Sequence, residues 1–415
     1  MSSKIVLLTG NHLCNNPRVI KEASTLARAG HQVWVLGAWA DGGLKQRDLE
    51  LAARLPFNFV PVLDLTGLTP TVRRRRLMRR AVSGSARLVH RLLGIESRYQ
   101  LGHTVGALTR AAQTLQGDLF IAHSEAALFA ARTLSDSGER IAIDMEDWFS
   151  EDLPPQARRS RPLLLLRSLE RVLLRSAVCS TCTSHAMSVA LARTYKCSPP
   201  TVIYNAFSWV DRRSLDGHLK DRRDRSRPSI HWYSQTLGDG RGLEELMVAL
   251  SSVHYEAELH LRGVPAAGFT AWLAQRTPEQ WRNCIFVHPP VTNGELLSRI
   301  SEHDIGFAGE MKYCRNKELT VSNKMLHYLL AGLAVVASDT TGQREVAGQA
   351  TGAVFLYPSG DAGALASQLN TLLESPDRLK GAKAAGLRAA RQTFCWERME
   401  GRLLNAVGTA LGVGR

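Results

Sequence analysis

At a few places in this chain a short apolar run gives way to residues that can bind charge or move protons. His123 follows the run Asp118–Ala122, and Asp144-Met145-Glu146-Asp147 follows Ile141–Ile143. A histidine or carboxylate with a pKa near neutrality can take a proton from an attacking hydroxyl. Further on, Ser234-Gln235-Thr236-Leu237-Gly238-Asp239-Gly240-Arg241-Gly242 closes one apolar run and precedes a helical one. Its glycines let backbone approach an anion at a helix N-terminus, and Arg241 adds a cation. Ser322-Asn323-Lys324 has a similar character, with two capping residues at a helix start and a lysine in the first turn. Together these residues could hold an anionic group and transfer a proton.

The elements that must position them read as alternating strands and helices. Lys4 to Thr9 is a buried strand. Pro17 to Ala29 is a helix with Val19, Ile20, Ala23, Leu26 and Ala27 on one face and Gly30 just beyond its end, and Gln32 to Leu36 is a second strand. A strand, helix and strand this close make a right-handed parallel βαβ unit. The alternation continues through Asp118–Ala122, Ala126–Leu134, Ile141–Asp144, Leu163–Leu174, Ala177–Thr181 and Thr201–Tyr204. Between Asp211 and Pro228 the apolar period is lost in a run of aspartates and arginines, which reads as a linker or solvated spacer. Strands and helices then resume from Ser229. The helical segment Phe394–Leu411, with Trp396, Met399, Leu403 and Val407 in one stripe, closes the chain. In open parallel sheets ligands sit beyond the carboxyl ends of the strands, which is where the polar residues above fall.

With 415 residues, 44% of them hydrophobic and 22% charged, the chain can bury two cores. The first apolar run is too short for a signal peptide, and Leu163–Leu166 is flanked by arginines. No segment spanning a membrane is therefore expected. Seven scattered cysteines suit a reducing cytosol rather than a disulfide framework, and Cys179-Ser180-Thr181-Cys182 has no second pair to complete a zinc site. The net charge of +14 asks for an anionic partner. Thr71–Arg91 carries eight arginines and no acid, and Arg158–Arg175 carries six against Glu170. Both interleave leucine, valine or methionine with arginine, the texture of a helix lying on an anionic bilayer. The alternative is a solvated helix whose apolar side packs on the protein's own core. Neither run has the aromatic interleaving of a nucleic-acid surface, so nucleic acid is not an expected partner.

Specific motifs narrow the reading. Asn15-Asn16-Pro17-Arg18-Val19-Ile20-Lys21-Glu22-Ala23, followed by Gly30-His31-Gln32-Val33, resembles the first βα unit of GT-B glycosyltransferases of the family-4 kind (glycosyl transferases group 1). Arg241-Gly242-Leu243-Glu244 is similar to the Lys-Gly-Leu turn of their second domain. Asn323 to Ser338 is similar to their donor-site helix and following strand. No Gly-x-Gly-x-x-Gly follows the first strand, so the chain does not look like a Rossmann dehydrogenase.

The resemblance implies an α/β GT-B fold of two Rossmann-like, doubly wound parallel-sheet domains with a C-terminal crossing helix. The expected parts are an acceptor domain over 1–207, a linker over 208–228, a nucleotide-sugar domain over 229–393 and a helix over 394–415 packing back toward the N-terminal domain. It also implies transfer of a sugar from a nucleotide-sugar donor to a glycan or lipid-linked glycan in cell-surface polysaccharide synthesis. Retention of configuration is expected, with no cofactor and no metal, in a cytoplasmic protein peripheral on the inner face of the plasma membrane. The donor diphosphate is expected in the crevice between the halves.

Donor-binding expectations are Gln235, Gly240, Arg241, Glu318, Asn323, Lys324 and His327. Glu310 and Glu318 have the family's Glu-x7-Glu spacing, but counting back from Gly332 puts His327 where the ribose-binding glutamate normally stands. Catalytic expectations are His123, Asp144 and Glu310, and acceptor-binding ones are Asn16, Arg18, Glu146 and Asp147. Trp148 and Glu151 are read as lining the acceptor loop. A nucleotide-sugar 2-epimerase of the same fold and a non-enzymatic basic glycan-binding protein remain alternative readings.

Overall fold

Parallel strands covered by helices on both faces are sealed from water on both sides, so their sequences are continuously apolar rather than alternating. In the computed structural model, which describes residues 2–238 and 242–412, Ile5, Val6, Leu7 and Leu8 of the first run have no exposed surface. Seven strands form the first sheet: β1 (Lys4–Leu8), β2 (Gln32–Trp39), β3 (Asn58–Asp64), β4 (Leu119–Ala122), β5 (Ile141–Met145), β6 (Cys179–Cys182) and β7 (Thr201–Val202). Their order is β3-β2-β1-β4-β5-β6-β7, and every pairing is parallel. The second sheet has six strands: β8 (Ser229–Leu237), β9 (Glu258–Pro265), β10 (Ile285–His288), β11 (Ile305–Ala308), β12 (Ala334–Ser338) and β13 (Val354–Tyr357). Its order is β10-β9-β8-β11-β12-β13, again with parallel pairings. In each sheet the chain changes direction of travel beside the first strand, between β1 and β4 and between β8 and β11. These are the switch points at which doubly wound sheets bind ligands.

The chain folds as two compact units. Met1–Thr183, Met187–Ile203 and Glu400–Arg415 form the first, and Ser184–Ala186 with Tyr204–Met399 form the second. The final helix, Trp396–Leu411, is divided between them at Glu400. Its expected stripe of Trp396, Met399, Leu403 and Val407 is buried throughout. The core of the second unit is built on Trp232, Leu246, Leu259, Phe307, Val336 and Leu369.

The acidic-basic stretch from Asp211 to Pro228 is not a solvated spacer. Asp221 is 6% exposed, and the Arg222 guanidinium lies between Glu258 at 3.2 Å and Asp304 at 3.1 Å. The Asp221 carboxylate pairs with Arg262, and its backbone N–H donates to Glu302 at 2.7 Å. These charges find their partners some 35 to 80 residues away along the chain, so no local pattern shows them.

The two basic runs have different fates. In the Leu163–Ser176 helix, Leu166, Leu169, Leu173 and Leu174 are buried, so its amphipathicity serves the protein's own core and corrects the bilayer expectation for that run. In the Pro70–Leu93 helix Ser83 is the one buried residue among those described. Leu77, Met78, Leu88, Leu92 and Leu93 are each more than half exposed. No helix among the described residues is long and apolar enough to cross a membrane.

The second unit also encloses a histidine cluster. His231, His260 and His303 have no exposed surface, and His260 bonds His288 at 2.9 Å and Glu258 at 3.0 Å. His303 stacks on His231 and approaches Asp221. Burial, the neighbouring imidazoles and Arg222 push His260 down to about 2; burial and Arg262 push His288 down to about 4, although Asp221 opposes that shift. Both are neutral in the folded protein at pH 5, whereas in the unfolded chain they protonate below about 6.5. Folded-state pKa values below the unfolded ones mean that stability is lost as pH falls through that window. Each histidine contributes a slope of about 1.4 kcal/mol per pH unit. Urea unfolding at pH 7, 6 and 5 should therefore show a steep loss for this unit below pH 6.5, and a flat profile would contradict the buried neutral cluster.

Candidate functional site

In the second unit the switch point places the ends of β8 and β11 side by side. β8 ends at Leu237, and Gln235 on it is exposed. Gly240 and Arg241 lie outside the described residues. Gly242 has φ +80°, and a Cβ there would lie 3.2 Å from the Gly309 Cα. A side chain at 242 would therefore be both strained and crowded, and glycine lets the two loops meet backbone to backbone. The Leu243–Leu250 helix begins at this point.

Glu310, immediately after β11, is the hub. Its backbone N–H donates to the Ser338 hydroxyl at 2.7 Å. Its carboxylate accepts from the Ser322 hydroxyl at 3.0 Å and from Lys324 Nζ at 3.4 Å. Burial works against the charge on Glu310, yet Lys324, Lys317 and the Ser322 hydroxyl hold its pKa below the ordinary range. It is thus an anionic acceptor at neutral pH, able to orient hydroxyl groups. Lys324 also stands 5.7 Å above the Trp232 ring. Ser322 occupies the N-cap of the Asn323–Ala331 helix, but its hydroxyl goes to Glu310 and makes no cap bond. This corrects the expectation of a capped helix, and the first N–H groups keep their capacity for an anion. Asn323, the first helical residue, is exposed at this end.

Two donor-site expectations are corrected. Glu318 accepts from the Thr341 backbone N–H at 3.1 Å and hydroxyl at 2.6 Å, so it caps the Thr341–Gln349 helix. His327 is 6% exposed, stacks on Phe207 with ring centroids 4.0 Å apart and bonds the Tyr233 hydroxyl at 3.0 Å. It packs within the second unit rather than facing a ribose.

In the first unit β1 and β4 end at Leu8 and Ala122, followed by Thr9-Gly10 and by His123. The residues expected to meet an acceptor are mostly sealed there. Arg18 is 1% and Asp144 0% exposed, and both Asp144 carboxylate oxygens are engaged by the Arg18 guanidinium. Asp144 also accepts from Thr181 at 2.9 Å, and Arg18 donates to the Ile203 carbonyl at 2.8 Å. Although burial opposes its charge, Arg18 and His123 hold Asp144 far below the usual carboxylate range. It can neither reach a substrate nor act as a base, which corrects the catalytic expectation for Asp144 and the acceptor expectation for Arg18. His123, 1% exposed, is wedged between Glu22 at 3.4 Å and Asp144 at 3.3 Å, so it holds this cluster together. Glu22, raised well above its ordinary pKa by burial and Asp144, completes the group. The Arg18–Glu22 spacing of four on a helix is a signal that sequence reading could have used.

Glu22, His123 and Asp144 are the one trio among the described residues whose ligand atoms lie within 4.8 Å of one another. The Arg18 guanidinium already sits against both carboxylates and supplies the positive charge, so the trio does not fit a metal ion.

The Asn16 side chain donates to the His12 carbonyl at 2.5 Å and fixes the turn before the Pro17–Arg28 helix. Trp148 is buried and donates to Tyr195, and Glu151 pairs with Arg158 and Arg167, so neither lines an open loop. Glu146 and Asp147 are half-buried just beyond β5. Burial and the Asp144 charge push Glu146 up to about 8. It is a protonated carboxyl at neutral pH, a hydrogen-bond donor, a property that its place in the sequence does not reveal.

Residues 236–375, which contain Gly242, Glu310, Ser322 and Lys324, match the family model for glycosyl transferases group 1. No curated protein sequence matches the chain. Among solved structures, it resembles sucrose-phosphate synthase from Thermosynechococcus elongatus at 15% identity and TM-score 0.71, over 99% of this chain and 100% of that one. It also resembles HepE of Anabaena in complex with UDP, at 16% identity and TM-score 0.69 over 99% and 100% of the two chains. A third likeness is the E. coli trehalose-6-phosphate structure bound with UDP-2-fluoro glucose, at 12% identity and TM-score 0.67 over 99% of each. At these identities the likeness establishes the fold, which is GT-B with two Rossmann-like parallel-sheet halves.

Proposed function

We propose, from a GT-B frame whose residues 236–375 match the glycosyl transferases of group 1, that the protein moves a sugar from a nucleotide-sugar donor to a glycan or lipid-linked glycan acceptor. The observation that carries this reading is the Glu310–Ser322–Lys324 constellation at the β8/β11 switch point inside the matched stretch. When an acceptor hydroxyl attacks the anomeric carbon, the bond to the donor diphosphate breaks and negative charge grows on the leaving oxygens. Lys324 and the free N–H groups of the Asn323–Ala331 helix stabilise that charge, and Glu310 orients the sugar hydroxyls. That arrangement supports a donor site that works without a metal. Structures of similar fold carry UDP or a UDP-sugar, and a uridine donor is the first to test.

The reaction is proposed to retain configuration, with the leaving phosphate receiving the acceptor proton. A protonated Glu146 supports this, because a carboxyl titrating at about 8 donates a hydrogen bond at pH 7 more readily than it accepts a proton. Activity should then fall as pH rises through about 8, and Glu146→Gln should keep most of the neutral-pH rate and lose that limb. A rate that instead rises through 8 and collapses in the variant would make Glu146 a base. Its pKa is raised above the unfolded value, so folding stability is lost as pH climbs from about 4.3 towards 8. Glu146→Gln should accordingly melt higher than the parent at pH 8.

The exposed apolar and arginine-rich Pro70–Leu93 helix supports a peripheral location on an anionic membrane, and a role in cell-surface polysaccharide synthesis fits that location. The deciding assay uses radiolabelled UDP-, GDP-, ADP- and dTDP-sugars with and without a membrane extract as acceptor source. Label passing into a glycan or lipid product supports transfer. An epimerised nucleotide sugar formed with no acceptor present would replace this reading with the epimerase.

A further inference from the structure

The first unit carries a further feature, outside the site residues described above. Between the Pro70–Leu93 helix and the start of the Val105–Thr114 helix is a cavity of about 410 Å³, within the range of small-molecule sites of about 300–1,000 Å³. Arg74, Arg75, Arg79, Arg98 and Arg110 line it, and no acidic residue does. Among the described residues none of the five has a carboxylate within ion-pair distance. Their counter-charge must come from elsewhere.

Stability alone does not account for this grouping. Burial together with Arg75 and Arg110 lowers the proton affinity of Arg79, and burial with Arg79, Arg87 and Arg80 lowers that of His103. Arg79 donates to the His103 carbonyl and Arg98 to the Tyr99 hydroxyl, but neutral acceptors leave the like charges repelling, and a ligand carrying two or three negative charges would reverse the sign of that interaction. Guanidinium groups suit phosphate oxygens, which they can engage through paired hydrogen bonds.

The cavity is also partly apolar. Met78, Val82 and Val105 lie among the arginines. On the same helix Leu77, Leu88, Leu92 and Leu93 are 54–70% exposed. The 24 residues of that helix span about 36 Å, long enough to lay a hydrocarbon chain or an acyl layer beside the cavity. An inorganic anion would use the arginines and leave this apolar edge unused. An amphiphile with a phosphorylated head would use both.

Position selects which amphiphile. Gly10, just past the end of β1, has φ +68°, and a Cβ there would lie 2.8 Å from the Thr104 hydroxyl oxygen. Thr104 lies in sequence between His103 and Val105, which line the cavity. The cavity therefore adjoins the carboxyl edge of the first sheet, where an acceptor is expected at a switch point.

We propose, building on the transferase reading, that this cavity seats the phosphate or diphosphate of a lipid-linked acceptor, its hydrocarbon lying along the exposed apolar residues of the Pro70–Leu93 helix. The sugar end of the acceptor then projects toward the end of β1. The cavity is thus the acceptor's anchoring point in a unit separate from the one that holds the donor.

Calorimetry on the full chain in detergent tests this with farnesyl diphosphate as the probe, set against farnesol, inorganic pyrophosphate and phosphatidylglycerol vesicles. Farnesyl diphosphate should bind at least about tenfold more tightly than farnesol or pyrophosphate, and Arg75→Glu/Arg110→Glu should weaken it by about tenfold or more. UDP binding should be unchanged in that variant. If the variant also loses UDP it has not folded correctly, and the milder Arg75→Gln/Arg110→Gln pair then decides. Unchanged farnesyl diphosphate binding in a folded variant would overturn the proposal. Pyrophosphate binding as tight as that of farnesyl diphosphate would overturn it in favour of a free-anion site. Vesicle binding that farnesyl diphosphate does not displace would overturn it by assigning the arginines to the bulk membrane surface. Absence of UDP binding in the parent would count against the transferase reading alone, because the farnesyl diphosphate arm does not depend on the donor.

Discussion

Replacing Lys324 with alanine should cut sugar transfer by about 10²–10³-fold in kcat/KM, the loss typical of removing one preorganised charge from a transition state. Lys324 is the cation paired with Glu310 beside the first turn of the Asn323–Ala331 helix. In the proposed reaction its ammonium stands where the leaving diphosphate gains charge. The substitution also removes the largest influence holding the Glu310 pKa down, so Glu310 should titrate higher in the variant. Lys324→Arg should recover part of the rate, since the charge returns with a different geometry. The measurement is steady-state transfer from a labelled nucleotide sugar, with UDP affinity followed by calorimetry. A rate within about threefold of the parent would mean that the diphosphate is held elsewhere, for instance at Arg241.

The second large effect concerns stability. Arg18→Met should destabilise the first unit by about 3–5 kcal/mol, because it leaves the buried Asp144 carboxylate without its cation. For a unit of this size that is a drop of about 6–20 °C in melting temperature. Asp144→Asn should cost less, since the amide can still accept from Thr181 and Arg18. The double variant Arg18→Met/Asp144→Leu should be less damaged than the sum of its parts, because two well-packed apolar side chains need no charge partner. Thermal unfolding followed by circular dichroism on the three variants tests this. An Arg18→Met protein that melts with the parent would show that the pair is solvated and within reach of an acceptor after all.

The two predictions separate residues that looked alike in the sequence. Lys324 and Arg18 are both cations near a helix start, yet one faces a switch point and the other fills a core. The difference lies in their partners: Glu310 and Ser322 leave an open helix end beside Lys324, whereas Asp144 and Ile203 enclose Arg18. Glu318 shows the same limit. Its spacing from Glu310 matched a motif, but the backbone at Thr341 occupies it.

From the residues alone came the strand-helix alternation and the two parallel-sheet halves, with Glu310 and Lys324 singled out as candidates that folding then brings within 3.4 Å of each other. Apolar runs and glycine positions are local properties, and chain order carries them. The fate of charged residues was decided only on folding. The Asp211–Pro228 stretch reads as solvated until Glu258, Glu302 and Asp304 meet it, and the histidines of four separate segments become a neutral core cluster. The two basic runs share one texture, and only packing shows that one covers a core while the other is left uncovered. Hydrophobic periodicity repeats within a few residues and can be read along the chain. An ion pair joins residues far apart in sequence, and whether a charge is functional or structural depends on what the fold brings beside it.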